Sequence, residues 1–434
     1  MAQLVFLLVG SDSLRRRWFV AAGLAVVLLA LGLAVLADAS AWLTRICSVL
    51  LGLVFLLHGA LVLLAAMGGG LAQAGRIDLL RGLALMVLAV LILGAPVGGS
   101  LAAALLLACG FAVDGGLRIF GGLLIRFQAW RGVVFWGAAE ILLAVLLVLG
   151  WPVPHGQAIP FVVSLLLLYS GWVLLRLSLS LRALEPEAAI LLLPLFGGRG
   201  WQDNAPVLLG DPGPAIPEHP LTLHVWTPVG SAEVTRRRPV VDRYAAAVDR
   251  HGVVSTGHIA LEAGALYISH YPFEEVGLDE RSFAHVLRAT AENDVRGRFQ
   301  PSLAVEVAEW CEPDARLTFR RYDQRRLRAY WASYRQDDTY NVSNRNCAIC
   351  VVTALEAALE GRLATPRPWL RILRLFCNPD IWIAAMLRKH ASSITWTPGS
   401  VLDYARALRN VTEPHESHPA ERLRAALRLL VRGA

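Results

Sequence analysis

Arg15-Arg16-Arg17-Trp18-Phe19-Val20-Ala21-Ala22-Gly23-Leu24-Ala25-Val26-Val27-Leu28-Leu29-Ala30-Leu31-Gly32-Leu33-Ala34-Val35-Leu36-Ala37 decides the first half of the fold. Three arginines precede an uncharged apolar run close to the ~20 residues that cross a hydrocarbon core as a helix. Five more apolar runs follow, at about 46–67, 79–96, 99–120, 132–151 and 159–179. A signal peptide also begins with positive charge, but the length of the first run and the five behind it favour an uncleaved helix. At 56% hydrophobic and 17% charged residues, the chain is too apolar for an ordinary soluble protein. Residues 1–183 are therefore expected to form an all-α, six-helix transmembrane bundle.

The loops suggest its orientation. Arg15, Arg16 and Arg17, then Arg76, then Arg126 and Arg131, then Arg176 and Arg182 flank the even-numbered loops and both ends, whereas the other three loops share only Arg45. By the positive-inside rule, the N-terminus and C-terminus are cytoplasmic and the protein is multi-pass. The runs also repeat. Gly94-Ala95-Pro96-Val97 recurs as Gly150-Trp151-Pro152-Val153, 150 − 94 = 56 residues later, and Gly59, Gly115 and Gly171 share that spacing. This reads as three helical hairpins from one unit, with glycines permitting close helix approach. His58, Asp114 and Ser170 immediately precede those glycines, and Glu140 lies deep in the fifth run. Such groups often mark function. The reading preferred here is a buried cluster that fixes packing, since transporters usually show broken helices; a transport or channel-like path is the alternative. Arg118 is expected to snorkel to the interface. This half resembles the HdeD-like acid-resistance membrane proteins, on its short-looped hairpins and Gly-x-Pro turns over roughly residues 15–183. The resemblance implies an inner-membrane stress-resistance protein.

Residues 184–220 hold seven prolines and five glycines, which reads as a linker. Its apolar piece Ala188–Phe196 is too short to span. From Leu221 the pattern changes. Residues 221–226 alternate as a strand, 239–250 read as a helix, and 253–261 and 265–271 read as strands about a turn at Glu262-Ala263-Gly264. Further strands are expected at 303–310 and 315–320, with Leu303, Val305 and Val307 on one face. Helices are expected at 324–335 and 344–359, the latter stopped by Gly361. The order predicts an α+β domain over residues 221–365 with a small antiparallel sheet.

Cys347 falls at the start of the second of these helices, with Asn344 or Asn346 as cap. The positive end of a helix favours a thiolate there, and the thiolate is the nucleophile. His258 and His270 lie on adjacent expected strands; one could take the thiol proton and the other orient it. Glu262 shares strand parity with His258 and is an alternative orienting group. Ser255-Thr256-Gly257-His258-Ile259-Ala260-Leu261, Tyr267-Ile268-Ser269-His270 and Tyr340-Asn341 with Asn346-Cys347 resemble the circularly permuted papain-like hydrolases. That group includes the NlpC-type and lecithin retinol acyltransferase-like enzymes. The resemblance implies Cys347 as nucleophile, His258 as base and His270 as third member. Ala348 and Ile349 replace the charged or polar residues of the lipid-acting branch, which argues against lipid substrates and leaves proteolysis or amide cleavage open; a peptide, isopeptide or acyl bond is the expected substrate class.

Cys347-Ala348-Ile349-Cys350 also spells a Cys-x-x-Cys pair, but no thioredoxin-like pattern surrounds it. Zinc would need two further ligands at tight spacing, so no metal or cofactor is expected. The +7 net charge is interleaved with acids along expected helices, which argues against nucleic acid as a partner. Residues 366–434 read as a helical extension. Within it, 366–387 mixes Trp369, Leu370, Leu373 and Phe376 with Arg367, Arg371 and Arg374, the composition of a helix in a membrane interface or one packed on a neighbouring domain. Asn378-Pro379 breaks it, and 400–409 and 419–432 read as amphipathic helices. The whole chain reads as a membrane-anchored thiol hydrolase using Cys347, His258 and His270. The alternative is a non-catalytic stress-resistance protein with a soluble binding module.

Overall fold

The computed structural model describes residues 1–38, 41–68, 76–94, 101–126, 130–184, 217–227, 247–248, 254–255, 257–274, 288–393 and 395–413. The expected apolar linker piece at 188–196, most of the helix at 239–250 and the helix at 419–432 lie outside these residues. The described chain divides into two units.

The first unit to consider is helical: α3 (Trp18–Leu36), α4 (Ala41–Gly68), α5 (Arg76–Gly94), α6 (Leu101–Ile125), α7 (Trp130–Leu149) and α8 (Ala158–Ala183). Among the described residues, four stretches are long and apolar enough to cross a membrane: Trp18–Leu36, Leu101–Leu124, Trp130–Leu149 and His155–Ala183. The other two helices carry shorter apolar stretches, Thr44–Ala60 and Gly82–Gly94. The equally spaced glycines sit at equivalent contacts. A Cβ on Gly59 would lie 2.9 Å from the Gly82 carbonyl, one on Gly115 2.6 Å from that of Gly137, and one on Gly171 3.0 Å from that of Ala25. Only glycine permits this backbone approach. The close pairs are therefore α4 with α5, α6 with α7, and α8 with α3. Each expected hairpin meets the next through its second helix.

The other unit is α+β. It begins with α1 (Ala2–Val9) and α2 (Ser11–Arg15), because Met1–Leu14 group with the later residues and not with the apolar helices. The expected membrane domain of 1–183 is corrected at this end. In α1, Leu4, Val5, Leu7, Leu8 and Val9 are at most 1% exposed. Gly361 and Leu363 donate backbone N–H bonds to the Leu7 and Leu8 carbonyls at 3.0 and 2.8 Å.

One antiparallel sheet runs β5-β4-β1-β8, built from β1 (Leu221–Trp226), β4 (His258–Ala263), β5 (Leu266–Ile268) and β8 (Ala315–Phe319). A second runs β6-β7-β9, from β6 (His270–Pro272), β7 (Val295–Phe299) and β9 (Thr339–Tyr340). The chain changes sheets at Ser269. Ala247–Val248 (β2) and Val254–Ser255 (β3) pair with each other, so the expected helix does not extend through 247–248. Leu303–Glu309 is a helix, α9, not the expected strand. Ser302 caps it by accepting from the Val305 N–H. Capping gives the helical turn a local advantage over the strand pattern that Leu303, Val305 and Val307 suggest.

The remaining helices are α10 (Gln324–Tyr334), α11 (Cys347–Leu359), α12 (Pro368–Phe376), α13 (Pro379–Ser393) and α14 (Pro398–Thr412). The sequence Cys-Ala-Ile-Cys-Val-Val-Thr-Ala-Leu-Glu-Ala-Ala-Leu of α11 is buried on nearly all sides. It packs against β4, α10, α14 and α1. Its one acid, Glu356, is matched by Arg388 at 2.8 Å and the Tyr404 hydroxyl at 2.7 Å. Pairing of this kind is what permits a carboxylate in a core. The helix ends at Gly361, whose φ of +74° suits glycine.

Candidate functional site

The start of α11 is held from several sides. Asn346 caps it, its Oδ1 accepting from the Ile349 N–H at 2.8 Å, while its Nδ2 donates to the Val342 carbonyl at 2.7 Å and Thr395 Oγ1 at 3.1 Å. Of the two expected caps, Asn346 is the one used. Arg345 is 1% exposed and donates to the carbonyls of Thr339 at 2.8 Å and Tyr334 at 2.9 Å, and also to that of Asp337. Its guanidinium lies 4.1 Å over the Tyr334 ring. Asn341 closes the preceding turn by accepting from the Ser343 and Asn344 N–H groups. Cys347 is thus the first residue of a rigidly seated helix, and the Tyr340 hydroxyl lies within hydrogen-bond reach of its backbone N–H.

His258 faces it from the first residue of β4. The imidazole stacks on Tyr271 at 3.9 Å between ring centroids and lies 5.6 Å from Trp226. It lies within electrostatic and hydrogen-bond reach of the Cys347 side chain. Its Nε2 lies 3.0 Å from Ser269 Oγ and 3.5 Å from Glu306 Oε1. Ser269 donates to Glu306 Oε1, and the Tyr267 hydroxyl donates to Glu306 Oε2 at 2.6 Å. The result is a continuous chain from Cys347 through His258 and Ser269 to a buried carboxylate.

The electrostatics follow from that chain. Burial alone would lower the His258 pKa, but charge and hydrogen bonding from Cys347, then from Glu306, overcome it and raise the value to about 9. Burial alone would raise that of Glu306. The hydrogen bond and charge of His258, with the bonds from Ser269 and Tyr267, instead hold it below its ordinary value. The two shifts are mutually consistent: each group stabilises the charged form of the other.

The structure brings Cys347 and His258 together. It does not put His270 in the third position. His270 Nδ1 bonds the Tyr334 hydroxyl at 3.0 Å and Nε2 faces the Asp338 carbonyl at 3.4 Å. Burial, with Arg345 nearby, lowers its pKa to about 3, so it is neutral. The physical reason is register. The β4–β5 pairing Leu261↔Ile268 and Ala263↔Leu266 places the turn at Gly264-Ala265, one residue beyond the expected turn. A one-residue slip exchanges the two faces. Ser269 and Tyr271 then share the His258 face, and His270 pairs with Phe299 in the second sheet. Glu262, the alternative, bonds His224 Nε2 at 2.8 Å. The position beside His258 belongs to Ser269 and Glu306, neither of which the sequence pattern singles out. Ser302 as a helix cap is the available signal for Glu306. Cys350 lies one turn on, its thiol pushed up to about 12, chiefly by burial. Among the described residues, no cluster of three or more His, Cys, Asp or Glu is placed to hold a metal ion.

In the apolar unit, Arg118 is ion-paired. It contacts Asp114 at 2.8 Å and Glu140 at 3.1 Å, across α6 and α7. Of the other two polar positions, His58 is half-buried and Ser170 is exposed. No family model matches this chain, and no curated protein or solved structure is significantly similar to it.

Proposed function

We propose that the α+β unit is a cysteine hydrolase, tethered to a membrane by the apolar helices. The observation that carries this reading is His258, seated between Cys347 and the buried Glu306. In the proposed cycle, the Cys347 sulfur attacks a carbonyl carbon, and the C=O electron pair moves onto oxygen. The Cys347 backbone N–H and the adjacent Tyr340 hydroxyl are the available oxyanion donors. Imidazolium of His258 gives its proton to the departing nitrogen or oxygen, and the carbon–leaving-group bond breaks. Neutral His258 then takes a proton from water as that water attacks the thioester, which regenerates Cys347. Glu306, directly and through Ser269, keeps the imidazole oriented and favours its charged form. Peptide, isopeptide and acyl bonds all meet these requirements.

The strand-borne histidine followed by a helix-borne cysteine supports a permuted papain-like fold. The 56-residue repeat supports an HdeD-like membrane half and a role in stress resistance. Loop arginines support an inner-membrane location with both termini in the cytoplasm, where Cys347 stays reduced. The Arg118 ion pairs favour a packing role for Asp114 and Glu140 over a transport path. An iodoacetamide-alkyne probe on native membranes tests the main reading. The expected result is label at Cys347 that disappears in Cys347→Ala; equal labelling of the other cysteines would remove it. The burial of Cys347, His258, Ser269 and Glu306, all at most 7% exposed, favours a second reading, a non-catalytic module locked by this network. It requires Cys347→Ala to retain full function in a deletion strain.

A further inference from the structure

Helix α12 has two unlike faces. Pro368, Ile372 and Leu375 are buried, and the helix packs against α1 and α13. At 100° per residue those three positions lie within about 60° of one another. Leu370 and Leu373 point the other way and are 51% and 62% exposed. Arg367, Arg371 and Arg374 are also exposed and lie together on one flank, and the helix carries no acid. Single exposed leucines need no explanation. Two of them opposite the buried face, bordered by three arginines, form an amphipathic surface with a definite partner chemistry: acyl chains below and anionic groups above.

Covalent reach names the partner. α12 packs on α1, and α2 ends within three residues of Trp18, where the first apolar helix begins. The path from Leu14 to Trp18 spans at most ~14 Å. It consists of Arg15, Arg16 and Arg17. The element under α12 is thus tied, by a short and strongly basic connection, to a membrane-crossing candidate. We propose that the Leu370–Leu373 face of α12 rests on an anionic lipid surface, with the leucines in the acyl boundary and Arg367, Arg371 and Arg374 on headgroup phosphates. This does not depend on the unit being a hydrolase.

The test uses the full-length chain in lipid nanodiscs of phosphatidylcholine alone, or of phosphatidylcholine with phosphatidylglycerol. Phenylglyoxal modification of each arginine is followed by mass spectrometry. An anionic surface attracts each nearby arginine by an amount equivalent to about fivefold in binding. Arg371 and Arg374 should therefore react at least about fivefold more slowly in the anionic discs. Leu370→Gln with Leu373→Gln alters only exposed positions, so the melting temperature should hold while the protection is lost. Equal rates in the two compositions, or protection that survives the double variant, would overturn the proposal. So would protection in detergent that rises with protein concentration, which would assign the face to a second copy of the chain.

Discussion

Replacing Glu306 by glutamine removes one charge from the site and little volume. The difference between the ordinary 6.5 of a histidine and the value of about 9 for His258 corresponds to about 3 kcal/mol, at 1.36 kcal/mol per pH unit. Burial works against that shift, so Cys347 and Glu306 together supply more than the net figure. At 3.5 Å, an effective dielectric of about 20 gives roughly 5 kcal/mol for one pair of unit charges as an upper scale. Assigning Glu306 a third to a half of the net effect lowers the His258 value by about 1 pH unit. Iodoacetate reads this, because the anionic reagent is drawn to imidazolium. Its rate at Cys347, followed by peptide mass spectrometry from pH 5 to 10, should rise and then fall, the upper limb marking proton loss from His258. In wild type that limb lies near 9, and in Glu306→Gln it moves down by about 1 pH unit. The introduced amide accepts from Tyr267 through its oxygen and donates to Ser269 Oγ through its nitrogen. Folding is therefore preserved, and thermal melting verifies it. An upper limb left near 9 in a folded variant would refute the coupling of Glu306 to His258. The sign for stability is separate. The raised His258 value contributes stability that is complete below 6.5 and is lost as pH rises through about 9.

His270 has the opposite linkage. Its folded value of about 3 lies below 6.5, so the unfolded chain binds the proton first and stability falls as pH drops from 6.5 toward 3. By pH 4.5 the loss is about 3 kcal/mol (2 × 1.36); His270→Gln should flatten this slope in urea titrations, and an unchanged slope would refute it. Cys350→Ala should leave iodoacetamide labelling at Cys347 intact, because the Cys350 thiol, pushed up to about 12, is a core group. Loss of label in that variant would reinstate a paired-thiol role. Gly115→Leu should separate α6 from α7, since even a Cβ there would lie 2.6 Å from the Gly137 carbonyl. The expected readout is a lower melting temperature in detergent, with Gly116→Leu, where a Cβ meets nothing within 4 Å, as the tolerated control.

The elements legible in the chain are those set by neighbours in sequence. Apolar runs mark the helices from Trp18 to Ala183, and the Asn346 cap and Gly361 stop bound α11 closely. Cys347 and His258 are recognisable because each sits at the start of its own element. Glu306 is not, because alternation of Leu303, Val305 and Val307 imitates a strand whose opposite face would put Glu306 in solvent. Once Ser302 is taken as a cap, the same residues form a helix and Glu306 turns inward. His270 is displaced from its expected role by a single residue of register, which periodicity does not resolve. The role of Ser269 depends on a strand leaving one sheet for another, a long-range event with no local signature.

The same limit hides α1, and its placement carries a consequence for topology. Read locally, Ala-Gln-Leu-Val-Phe-Leu-Leu-Val is a lead-in to the first membrane helix. In the fold, those leucines and valines are buried in the α+β unit, each contributing about 1.5–3 kcal/mol by leaving water. Gln3 accepts from Arg388 at 2.9 Å, and Asp12 pairs with Arg326 at 3.5 Å. The chain therefore leaves this unit at residue 14 and returns to it after residue 183, and Leu124–Gln128 between them also group with it. On the proposed membrane reading, a folded unit with charged and hydrogen-bonding surface lies on one side of a bilayer, so the helices between cross an even number of times. Four crossings satisfy this, as do six if α4 and α5 cross as well. Reporter fusions at the two ends should consequently report the same compartment. A fusion in the loop between α3 and α4 should report the other one, since a single helix precedes it. Ends on opposite sides would show that α1 does not dock as described. Leu7→Ala gives an independent check, with an expected cost of about 2–5 kcal/mol to the unit that a mere membrane lead-in would not incur.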